Sequence, residues 1–131
     1  MDDGGARRAA DHACMKMSEP PQREPLVVAS FSGYFGDRAT ALDEAMAGDP
    51  IDVLIGDYLA EITLAGISAR FRKDPTQGYA EYFVKQVQPH LGGIAARGIK
   101  LVTNAGGLNP RGLAQVLRGL IAEVGLSLKV A

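Results

Sequence analysis

The 131-residue chain has no tryptophan, one cysteine and almost no net charge. With Cys14 alone no internal disulfide can form, which fits a reducing compartment, so a cytoplasmic location is the expectation. Fourteen Lys and Arg stand against fifteen Asp and Glu, spread along the chain, giving a net charge of −1. That balance argues against a nucleic-acid surface. No run approaches the ~20 apolar residues of a membrane span, and the N-terminus has no apolar core of a signal peptide. No internal repeat is evident. Dinucleotide and P-loop chemistry also lack their signatures, since no turn has the G-x-G-x-x-G order or ends in G-K-[ST]. Ser32 has no nucleophile-elbow context, which disfavours a serine hydrolase.

What the chain does have is a repeated strand, turn and helix pattern. Residues 1–25 mix small, charged and proline residues without periodicity and read as a disordered leader, so His12 and Cys14 are poor candidates for chemistry. Domain structure is expected over 26–131. LVVASF at 26–31, IDVLI at 51–55, the run around Ile99–Val102 and LSLKVA at 126–131 read as four strands. The short apolar run of Ile99, Leu101 and Val102, without regular polar alternation, predicts a strand covered on both faces. Between the strands lie helices: one through Ala47 with Asp37 as cap, and one from Asp57 to about Arg72 with Leu59, Ile62, Ala65 and Ile67 inward. The next opens at Asp74-Pro75-Thr76-Gln77 in a capping box. Pro89 should kink it and Gly98 should end it. The last helix starts with Asn109 as cap and Pro110 in the first turn. Its apolar positions, Leu113, Val116, Leu117, Leu120, Ile121 and Val124, keep helical spacing up to Gly125. Alternating strands and helices predict parallel pairing and a three-layer, Rossmann-like α/β domain with a mainly parallel sheet; a partial β/α barrel is the alternative.

In either architecture the ligand end is the carboxyl end of the strands. Three turns gather there, SGYFGDR, GDYLAE and TNAGGLNP, and they hold the candidate ligand-binding residues. From the first come Ser32, Gly33, Gly36, Asp37 and Arg38. The second supplies Asp57, Tyr58 and Glu61, and the third Asn104, Gly106, Gly107 and Asn109. The glycines permit positive φ and close backbone approach, and a helix start behind them suits an anion; they equally suit a tight strand-to-helix turn. Asp57 and Glu61, four apart, would share a helix face and with Asn104 offer oxygen ligands to a divalent cation or acid/base groups. Capping and dipole compensation by the same two residues is the competing reading. Arg38 can meet a phosphate or carboxylate, or pair with Asp37. Tyr34 and Tyr58 can line a pocket or shield strand ends, and His90 is read as a packing residue.

These segments also carry a resemblance. SGYFGDR at 32–38, IDVLIGDYLAE at 51–61, KDPTQGYA at 73–80 and GIKLVTNAGGLNPRGLA at 98–114 together resemble the N-terminal part of the acyclic terpene utilisation family, AtuA. The resemblance spans 26–131. It implies a bacterial role in the breakdown of citronellol- and geraniol-type terpenes alongside acyl-CoA enzymes, and a small acidic or acyl-CoA-type ligand. It assigns no catalytic residue, metal or cofactor. It also implies a longer chain, so that LSLKVA would lead into further α/β structure and, left as an edge strand, would drive self-association.

Overall fold

The structure, a computed structural model, describes residues 24–131. Residues 1–23 of the expected leader, with His12 and Cys14, lie outside the described residues. Three strands, β1 (Val28–Ser32), β2 (Val53–Gly56) and β3 (Lys100–Thr103), form an open sheet in the order β1-β2-β3. Both pairings are parallel. The helices are α1 (Ala41–Ala47), α2 (Glu61–Lys73), α3 (Glu81–Val87), α4 (Leu91–Arg97) and α5 (Pro110–Glu123), with a 3-10 turn at Gln88–His90 between α3 and α4. The chain is therefore mixed α/β with a parallel sheet, as the alternation of strands and helices predicts. No strand reverses the order, so the described residues contain no topological switch point. This arrangement is common to one wing of a layered sheet and to a segment of a β/α barrel.

One core joins Phe31 and Leu54 of the sheet to Leu42 of α1, Phe83 and Val87 of α3, Leu91 and Ile94 of α4, and Leu113 and Ile121 of α5. The opposite sheet face is open. Val28, Ile55 and Val102 are 52%, 40% and 57% exposed, because side chains alternate along a strand and all these helices lie to one side. The expectation that β3 is covered on both faces is thus corrected for the described residues. A register shift between Ser30 and Ser32 in β1 is a bulge, and it turns Phe31 and Ser32, successive residues, both into buried positions. Gly56 ends β2 where a Cβ would stand 2.8 Å from the rings of both Phe31 and Tyr58.

Four element boundaries depart from the sequence reading. Asp37 does not cap α1, which begins at Ala41 after Thr40. Asp57 does not open α2; the helix starts at Glu61 behind an extended Ala60, so Asp57 and Glu61 are not on one helix face. In α2 it is Thr63 and Ile67 that are buried, whereas Ile62 is 85% exposed. Asp74-Pro75-Thr76-Gln77 is a turn closed by Gln77 N–H to Asp74 O, and the helix after it waits until Glu81. Finally, 126–131 joins no ladder, although Leu126, Leu128 and Val130 alternate inward and pack on the core. Pro89 does interrupt its helix, as a 3-10 turn, and Gly98 ends α4 with φ 64°. Among the described residues no helix is long and apolar enough to cross a membrane.

Candidate functional site

The three strand-to-helix turns meet at the carboxyl end of the sheet, and hydrogen bonds knit them together. Backbone first: Asp57 N–H donates to Ser32 O at 2.9 Å, tying the turn after β2 to the end of β1. The hydroxyl of buried Ser32 reaches Asp57 O at 2.9 Å and Tyr34 O at 3.1 Å. On the other side, Tyr58 N–H donates to Asn104 Oδ1 at 2.9 Å while Asn104 Nδ2 donates to Asp57 Oδ1 at 2.7 Å. One asparagine therefore binds two consecutive residues of the neighbouring turn. Thr103 adds a bond from its hydroxyl to Gly56 O at 2.7 Å and accepts from Ala105 N–H. Such a closed set holds its members in one geometry, which a ligand site requires.

Asp37 and Asp57 are the carboxylates of this edge, and both are held below the usual carboxylate range. For Asp57 the cause is first the Asn104 amide and then Leu59 N–H; for Asp37 it is the backbone N–H of Gly33 and then of Arg38. These donors favour the charged form. Both are ionised at neutral pH. Arg38 pairs with Glu44 at 2.8 Å, an exposed pair, and not with Asp37, which accepts only its backbone N–H. Glu61 stands exposed at the start of α2. Among the described residues no three His, Cys, Asp or Glu side chains cluster to hold a metal.

Tyr58 is fully buried, and burial pushes its phenol well above the ordinary tyrosine range. Its hydroxyl donates to Gln86 Oε1 at 2.6 Å, and Gln86 Nε2 donates to Arg38 O at 3.3 Å. Tyr82 donates to Asp37 O at 2.9 Å. Helix α3 thus steadies the turn after β1 through two residues that were not among the candidate ligand-binding residues. Gln86 had a visible signal, being a polar residue within the apolar stripe of Phe83 and Val87.

The third turn is packed against the chain itself. Gly107, at φ 52°, would bring a Cβ to 2.8 Å from Gly78 O, and Gly106 to 2.8 Å from Pro110. Leu108 and Asn109 N–H both donate to Gly78 O. The close backbone approach that the glycines permit is here made by the 75–78 loop, with Ile67 of α2 next to it. Asn109 caps α5, accepting from Gly112 N–H at 2.9 Å, and its Nδ2 lies 2.9–3.3 Å from the carbonyls of Pro75, Thr76 and Gln77. Gly33 and Gly36 are exposed, with Gly36 at φ 90° in the first turn. The structure thus brings Ser32, Asp57, Tyr58 and Asn104 into direct contact and gathers Gly33, Asp37 and Arg38 around the first turn. It sets Gly106, Gly107 and Asn109 against the 75–78 loop.

A family model, described as "Acyclic terpene utilisation family protein AtuA", matches residues 26–131. The chain belongs to this family. The match covers all three turns, and membership supports a role in acyclic terpene utilisation in general. No curated protein and no solved structure matches.

Proposed function

We propose that this AtuA-family protein serves bacterial breakdown of citronellol- and geraniol-type terpenes by binding an acyclic terpenoid acid or its CoA thioester along the carboxyl edge of the sheet. The observation that carries the reading is the Asp57–Asn104–Tyr58 exchange, which cross-links the turns after β2 and β3 and leaves Asp57 and Asn104 exposed at the ends of those two strands. In this reading ionised Asp57 accepts from amide and hydroxyl groups of a CoA-type ligand, while cations elsewhere on the edge meet its charge. Calorimetric titration of the protein with a ten-carbon terpenoid acyl-CoA tests it. Saturable binding lost in Asn104→Ala supports the reading; unchanged affinity in that variant sinks it.

A second reading, a partner-binding scaffold, has its own observation: the open sheet face carrying Val28, Ile55 and Val102. Contiguous apolar surface of that kind marks association. Light scattering across a concentration series should show self-association that Val102→Lys reduces, and a monomer at all concentrations would remove this reading.

A further inference from the structure

An apolar groove of about 520 Å³ runs beside β3, on the flank away from β2. Its walls include Leu101 of β3, Leu113, Leu117 and Ile121 of α5, and Leu128 and Val130 of the last segment. The volume lies within the roughly 300–1,000 Å³ of small-molecule sites, and the wall is of the apolar kind such sites use. Along α5 it adjoins a smaller, more open depression lined by Arg111, Gln115 and Arg118; Pro110, Ala114 and Ala131 line both. Arg111 and Arg118 are exposed, and neither is in a salt bridge among the described residues. Arg118 gives one N–H to Val130 O at 2.7 Å, holding the outer wall in place, and has further donors to spare. An apolar groove flanked by two guanidinium groups has the chemistry to take an amphipathic anion: a hydrocarbon chain with a carboxylate or phosphate at one end.

We infer that this groove seats the branched apolar chain of the ligand and that Arg111, with Arg118, meets its anionic head. The inference rests on the terpenoid-acid reading above and adds the seat of the chain and the source of the positive charge that Asp37 and Asp57 do not supply. The groove can otherwise be closed by the protein itself. Lys100 N–H bonds to Asp52 O on the β2 side, so by strand alternation Leu101 and Thr103 N–H face the free flank, where 126–131 could pair as a further strand.

Titration with 3,7-dimethyloctanoic acid, and with the alcohol of the same chain, tests the inference. The acid should bind saturably and at least fivefold more tightly than the alcohol. Arg111→Ala should bring the acid down to the alcohol's affinity, with partial recovery in Arg111→Lys. Leu117→Trp, which fills the groove, should weaken both ligands at least tenfold. Val130→Trp does the same from the opposite wall and keeps the test open should Leu117→Trp fail to fold. Equal binding of acid and alcohol, unchanged binding in the filled variants, or slow hydrogen exchange at Leu101 and Thr103 in the free protein, showing 126–131 already paired there, would each overturn the groove assignment. Acid binding lost in Asn104→Ala but indifferent to Leu117→Trp and Arg111→Ala defeats the groove alone; no binding of acid or acyl-CoA to the intact protein defeats both readings.

Discussion

The turn after β3 and the turns after β1 and β2 look alike in sequence but are built differently. In the third, Asn109 stands directly before the helix and caps it, with Pro110 at the first helical position. In the other two the side chain closes its own turn first: Asp37 takes Gly33 and Arg38 N–H, and Asp57 takes Leu59 N–H, several residues before the helix begins. Asp74 does the same with the backbone and hydroxyl of Thr76. A short polar side chain after a regular element therefore signals a turn in all four cases. Which N–H it captures depends on whether the next residues enter the helix at once: Pro110 does so after Asn109, whereas Pro75 after Asp74 only continues a turn, so a following proline does not decide it alone.

The contrast can be broken most severely at its base. Gly56→Val places a Cβ against Phe31 and Tyr58 where all three turns are anchored, and should cost about 3 kcal/mol of stability or prevent folding, read by urea denaturation. Next comes Asn109→Ala, which removes a true cap and the amide facing the 75–78 carbonyls together; a loss of about 2 kcal/mol is expected by the same measurement. Asp37→Ala, removing a side chain that closes only a local turn, should lower the midpoint less than Asn109→Ala. Equal losses would show that the two turns are built alike after all.

Acid titration sharpens the same distinction. Asp37, Asp57 and Asp74 have folded-state pKa values below their unfolded ones, so their stabilisation is fully present above the ordinary carboxylate range and disappears as pH falls through the lowered values. Asn104→Ala removes the first cause of the Asp57 shift. Its Asp57 should titrate at higher pH by side-chain NMR, while Asp37 and Asp74 stay in place. The smallest effect is expected at Glu61, exposed at the start of α2, where Glu61→Gln should change stability by no more than about 0.5 kcal/mol in a thermal melt.

How far the site could be read from the sequence varies residue by residue. Asn104 was visible as a polar residue ending an apolar run, yet its two partners, 46 and 47 positions away, were not. The Asp57–Glu61 pair failed because spacing of four means a shared face only inside a helix, and the helix starts after Asp57. Ile62 failed similarly, since α2 buries little besides Thr63 and Ile67 and its apolar periodicity had no full layer to face. Gln86 and Tyr82 matter through contacts with a turn more than forty residues earlier, which local pattern cannot report.

By itself the sequence determined the features set by near neighbours in the chain: the α/β alternation, the parallel pairing implied by helical crossovers, the Pro89 interruption, the Gly98 stop, the Asn109–Pro110 start and the family motifs. These depend on dihedral restriction, capping and hydrophobic period, which act over a few residues. Tertiary structure alone decided that one sheet face stays open, that the 75–78 loop fills the approach to Gly106 and Gly107, and that 126–131, strand-like in pattern, lies across a groove from β3. An alternating pattern specifies which side chains point inward but not which backbone it pairs with, because the ladder partner lies far away in the chain and is chosen by packing.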